Sequence, residues 1–197
     1  MKTRILASSL LLAFGAASAF AQTTTANTVQ RDVNQQTRIE QGLKDGSLNV
    51  KEAGRLEKEQ GRIDQLQARD LKDGKLSPAE RAQLNRAQNK VSSDIRAART
   101  NDVKGNPNAA SSERMQADVQ RNINEEKRIE QGVKSGELTN REAGSLERGQ
   151  ARVDRTEARA AKDGHIGKRE QAVIQGKEDH QSKRIFNKKH NEVERKG

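Results

Sequence analysis

Four variants of one short segment cut this chain into helices. The fullest is Lys72-Asp73-Gly74-Lys75-Leu76-Ser77-Pro78-Ala79-Glu80. Gly74 suits the left-handed conformation that stops a helix without a Cβ penalty. Ser77 can cap the next helix, Pro78 fits its first position, and Glu80 completes a capping box. The other copies are Lys44-Asp45-Gly46-Ser47-Leu48-Asn49 leading to Glu52, Lys134-Ser135-Gly136-Glu137-Leu138-Thr139 leading to Glu142, and Lys162-Asp163-Gly164-His165-Ile166-Gly167 leading to Glu170. A helix stop followed at once by a helix start, four times over, predicts an all-α fold whose neighbouring helices fold back antiparallel.

Between the turns the apolar residues keep helical spacing. Val29, Val33, Ile39 and Leu43 mark a first helix from Asn27 to about Lys44. A second runs from Val50 to Lys72, about 35 Å at 1.5 Å per residue, and a third from Pro78 to Arg99. The chain then repeats itself 90 residues on: Val119-Gln120-Arg121 matches Val29-Gln30-Arg31, and Glu142-Ala143-Gly144 matches Glu52-Ala53-Gly54. This pattern reads as a tandem duplication of a three-helix antiparallel unit joined by short Gly turns. The expected organisation is a signal peptide over 1–21, a disordered Thr-rich stretch over 22–26, unit one over 27–100, a Gly/Pro linker over 101–112, unit two over 113–191 and a tail over 192–197. Contact between the units is left open by the linker. The third helix of unit two looks weak: Lys177, Gln181 and Lys188 stand where unit one has Ala87, Val91 and Ala98. That helix is expected to fray or to fold against a protein partner.

Lys2 and Arg4, the apolar run Ile5–Ala17 and the small-residue site Ala19-Phe20-Ala21 form an export signal. Cleavage before Gln22 would place the mature chain in the periplasm or outside the cell. It also removes two positive charges from the formal +10 and two of the three phenylalanines, leaving Phe186 as the sole aromatic. The absence of cysteine excludes disulfides and thiol chemistry. A chain only 30% hydrophobic can build only a thin core.

The middle helices carry the clearest charge pattern. Lys51, Arg55, Lys58, Arg62 and Arg69 gather opposite the face formed by Ala53, Leu56, Gln60, Ile63, Gln67 and Leu71. Unit two keeps the arrangement with Arg141, Arg148, Arg152, Arg155 and Arg159. Each stripe extends about 27 Å and could hold phosphate, lipopolysaccharide headgroups or an acidic polysaccharide by charge. Glu52, Glu57, Glu59 and Asp64 flank it, and pairing with them at helical spacing would leave an ordinary solvated surface. Gln60 and its counterpart Gln150, set in the apolar face, are read as register-fixing amides.

Other chemistries find little support. With Gly74 as the sixth position of an EF-hand loop, Leu76 and Glu80 fall at positions eight and twelve. Position one is then Arg69 and position three Leu71, so most of the carboxylates a hard cation needs are missing. His165, His180 and His190 share no helical spacing that presents two imidazoles together. No nucleophile elbow, phosphate loop or metalloprotease helix appears, and the carboxylates read as solvated helix flanks. A single aromatic cannot provide a stacking platform for nucleic acid.

Arg128-Ile129-Glu130-Gln131-Gly132, followed by SGELTNREAGSLERGQARVDR, resembles a family of exported proteobacterial helical-repeat proteins with the pattern QG…SG.LT..EA..LERGQAR.D. The resemblance spans both units and implies export and helical architecture, with no activity, ligand or site attached. The reading is therefore an all-α, exported, non-enzymatic binding or scaffold protein, without cofactor or metal. Its basic helix faces would contact anionic envelope or matrix components, with no specific nucleic acid and no transmembrane segment. The alternative is a divalent-cation-responsive protein using degenerate EF-hand-like turns.

Overall fold

The computed structural model describes residues 14–191, in which there are six α-helices and no strand. They are α1 (Phe14–Lys44), α2 (Val50–Asp70), α3 (Pro78–Thr100), α4 (Ala110–Lys134), α5 (Asn140–Ala160) and α6 (Lys168–Lys189). Short 3-10 turns, Leu71–Asp73 and Ala161–Asp163, extend α2 and α5. Gly46, Gly74, Gly136 and Gly164 are the residues with positive φ, 73° to 90°. Reciprocal capping boxes start α2, α3 and α5: Asn49 with Glu52, Ser77 with Glu80, Thr139 with Glu142. At α6 only half a box forms, because Gly167 donates its backbone N–H to Glu170 and has no side chain to return a bond.

The main packing joins helices from opposite halves of the chain. α2 lies against α5 and α1 against α4, while α3 packs on α1 and α2, and α6 on α4 and α5. The α2–α5 contact is antiparallel and lined with small residues. A Cβ on Gly54 would come 2.5 Å from Ala161 Cβ, and one on Gly144 2.8 Å from Leu71 Cβ. Midway along, Gly61 meets Ala151 and Asp154. With no side chain between them, the two middle helices form one layer, and α1 with α4 forms the next.

Apolar side chains collect at the two ends of this arrangement. Ile39, Leu43, Leu48, Leu56, Met115 and Val119 belong to one cluster; Val29, Leu71, Ile129, Val133, Leu138 and Leu146 belong to the other. The middle of the bundle is polar.

Several expectations change here. Residues 22–26 lie inside α1, with Thr25 and Ala26 buried, and do not form a disordered lead-in. The connection between the halves is shorter than 101–112, since α4 begins at Ala110, and it is pinned: Gly105 N–H donates to Gly46 O at 2.9 Å. α6 does not fray before Lys189. Its polar substitution Gln181 donates to Leu146 O at 2.9 Å, and Arg184 donates to Ser145 O at 2.8 Å. No helix among the described residues is long and apolar enough to cross a membrane. Residues 1–13 of the expected signal and the tail over 192–197 lie outside the described residues, and α1 continues across the expected cleavage point.

The seam sets a stability test. Valine is the better helix former, so any loss on Gly54→Val or Gly144→Val must come from overpacking, at about 1–3 kcal/mol. Gly176→Ala, exposed on α6 with nothing within 4 Å of its Cβ position, should gain about 0.5–1 kcal/mol. Urea denaturation midpoints read both. Equal effects at the three positions would refute the seam.

Candidate functional site

The acids read from the sequence as helix flanks are largely inside. Among the described residues, 14 acidic side chains are buried and no lysine or arginine is. Some have evident partners. Glu40 and Glu130 pair with Lys44 and Lys134, and Asp70 with Arg69 at 2.7 Å. Glu52 joins its capping box and accepts from Asn101 at 2.7 Å. Most of the remainder occupy the polar middle of the bundle, between the α1–α4 and α2–α5 layers, while Glu125 and Glu178 lie at the α4–α6 contact.

Two groups of three carboxylates stand out. Glu57, Asp154 and Glu157 form one, Asp64, Glu126 and Glu147 the other, and within each the nearest oxygens all lie within 4.8 Å of one another. The first group is partly satisfied by amides. Gln36 Nε2 donates to Glu57 at 2.8 Å, and Asn122 Nδ2 reaches both oxygens of Glu157 at 3.0 Å. Beside the second, Asp32 takes amide donors from Gln67 and, at 2.8 Å, from Gln88. Within the second group, both oxygens of Glu147 and Oε2 of Glu126 have no hydrogen-bond donor.

Burial governs the electrostatics. It pushes Asp32 up to about 7 and Glu57 to about 8, against smaller opposing effects of amide donors. Asp64, Glu126, Glu147, Asp154 and Glu157 are raised well above the carboxylate range, first by burial and then by neighbouring acids. At the α4–α6 contact, Arg121 lies 3.5 Å from both Glu125 and Glu178, yet desolvation still lifts these to about 7 and about 8. Asp118, which accepts from Gln171 at 2.6 Å, rises to about 6.

Sequence reasoning missed these acids, although a signal was present. Taking Gln60 as the centre of the apolar face of α2, Asp64 and Glu57 lie about 40° and 60° away, toward the glycine seam. A helix contacted on two sides buries that sector.

The ten basic positions all remain exposed. Lys51, Arg55 and Lys58 of α2 meet Arg155, Arg159 and Lys162 across a groove of about 580 Å³ floored by Gly54 and Ala158. Arg152 faces another groove of about 340 Å³ with Lys177, His180 and Arg184 of α6. Arg69 is held by Asp70 and by Gln83 at 3.1 Å, while Arg141 reaches Asp73 O at 3.4 Å. Arg62 and Arg148 contribute exposed charge outside the 580 Å³ groove. The expected neutralising acids are largely withdrawn, since Glu52, Glu57 and Asp64 are buried and Glu59 is half-buried.

The turn aspartates are engaged locally. Asp45, Asp73 and Asp163 each spend an oxygen on the backbone N–H two residues on, at 2.9, 3.0 and 2.9 Å. The histidines are dispersed: His165 bonds Ser111 at 2.8 Å, His190 stacks on Phe186 and His180 is exposed. Gln60 and Gln150 are buried with neither amide atom in a well-formed hydrogen bond, and Gln150 faces Glu125 and Glu126 of α4. No family model matches this chain, and neither a curated protein nor a solved structure is significantly similar to it.

The raised carboxyls fix a direction for pH dependence. Their folded values lie above the unfolded ones, so the stability they contribute is complete below about pH 4 and is lost as pH rises toward about 8. Each such group contributes up to about 1.4 kcal/mol per pH unit within its window. In chelator-treated protein the melting temperature should fall steadily from pH 4.5 to 8. A rise over that interval would contradict the buried layer.

Proposed function

We propose that this is an exported, non-enzymatic helical binding protein that engages anionic polymers of the envelope or matrix through the groove between α2 and α5. The observation that carries this reading is the convergence of Lys51, Arg55, Lys58, Arg155, Arg159 and Lys162 on one groove with no acidic residue in its lining. Burial of the neighbouring acids leaves that field largely unscreened at short range. Two backbones in close contact make the floor, so a rod-like polyanion can lie along it and meet cations from both sides.

The same reading treats the chain as a tandem duplication of a three-helix antiparallel unit with short Gly turns. Support comes from the constant 90-residue offset and from matching places at the seam, Gly54 against Ala161 and Gly144 against Leu71. In this view the groove exists only when both copies are present, because each supplies one wall. Periplasmic or secreted placement rests on the signal at residues 1–21.

Retention on a sulfated polysaccharide resin tests the proposal. The protein should bind at low salt and elute as salt rises. The double substitution Arg55→Gln with Arg159→Gln should reduce the slope of log affinity against log salt by roughly two contacts. Arg86→Gln, exposed on α3, should elute close to the unaltered protein. Flow-through at low salt, or equal loss from Arg86→Gln, would sink the groove as the contact surface.

A further inference from the structure

The buried acids have no part in the groove, and the Asp64–Glu126–Glu147 cluster is the least satisfied among them. Both carboxylate oxygens of Glu147 lack a donor, and Glu147 is fully buried. The charges acting on these three carboxyls are those of other acids, with no lysine or arginine among them. A second observation comes from a neutral side chain. Gln150, 1% exposed, turns its amide N–H toward Glu126 and Glu125, yet completes a well-formed hydrogen bond with neither. The open carboxylate oxygens of Glu147 and Glu126 in a closed core call for a centre of positive charge, which a neutral amide does not supply.

We propose that Asp64, Glu126 and Glu147 form a buried site for a hard divalent cation. The donor set is entirely oxygen, which suits calcium, manganese or magnesium and disfavours the softer metals that seek thiolate or imidazole. The spacing also fits. Opposite oxygens on a calcium ion at 2.3–2.6 Å stand about 5 Å apart, and these three lie within 4.8 Å of one another. They reach the point from three helices: Asp64 from α2, Glu126 from α4 and Glu147 from α5. An ion here would tie the two layers of the bundle together. The Glu57–Asp154–Glu157 group, already supplied with amide donors by Gln36 and Asn122, is the poorer seat, so one ion per chain is expected. This inference is independent of the polyanion groove. It also moves cation response away from the glycine turns, where the aspartates are engaged with backbone.

The test uses the whole purified protein, stripped with chelator and titrated with calcium or manganese chloride by calorimetry, with melting followed by circular dichroism. Expected is saturable uptake of one ion per chain. Melting should rise by roughly 5–10 °C at a hundredfold excess over the dissociation constant. Glu147→Gln and Asp64→Asn should each weaken binding at least tenfold. In chelator both should melt no lower than the unaltered protein, because a neutral amide replaces a buried acid of the same shape. Asp163→Asn, at a turn, should bind as the unaltered protein does. Absence of saturable uptake with unmoved melting would overturn the site. So would full binding by both core variants, or loss of binding on Asp163→Asn alone.

Discussion

Gly54, Gly61 and Ala68 let α2 lie on α5 with almost no side chain between the backbones, and Gly144, Ala151 and Ala158 answer from the other helix. That approach determines what the rest of each middle helix must do. One sector faces the partner helix, the next faces the α1–α4 layer, and only the far side meets solvent. A helix in that position has an interior arc wider than its supply of large apolar residues. Leu56 and Ile63 fill part of the arc on α2, and the sector between them and the seam falls to Glu57 and Asp64.

Charge is consequently sorted by depth. Among the described residues, 14 acids lie within the bundle, and lysines and arginines stay outside. A net formal charge of +10 understates what an approaching molecule meets, because burial raises the central carboxyls well above the usual range and favours their neutral form. On the seam side the two middle helices bring their bases to a common groove, so the feature that closes the core also shapes the exposed field. Arg121 is an informative exception. It lies between α4 and α6 near Glu125, Glu178 and, at 2.7 Å, Asp179. There a guanidinium reaches buried acids from the rim, as none does at the centre.

The local grammar of the fold is legible in the sequence. Glycine stops and capping boxes predict where helices begin and end, and Leu48 and Leu138 occupy equivalent buried places after their turns. Partner choice is not legible in the same way. Periodicity treats each helix as having one buried face, and on that assumption Glu57 and Asp64 lie on a flank. The clue to the seam is the seven-residue spacing of small residues, Gly54, Gly61, Ala68, with a second small series Gly144, Ala151, Ala158. Such a series marks a close helix neighbour, and a helix with neighbours on two sides has no solvated flank at Asp64. The polar residues of α6 mislead for a related reason. Gln181 looks like a defect on a core stripe until its acceptor, the backbone of Leu146, is seen.

A core built this way must obtain positive charge from somewhere, since an isolated carboxylate in a dry interior is prohibitively costly. Amide donors reach Asp32 and cover the oxygens of Glu157 with two N–H contacts, and burial still raises both carboxyls. They do not suffice at Glu147. There the choice is between a proton and a metal ion, and both require the same oxygens. The two must therefore compete: acid conditions hold the layer together with protons, and a cation takes over that role as the protons leave. The small-residue seam cannot relieve the tension by opening, because the same contact holds the two middle helices together.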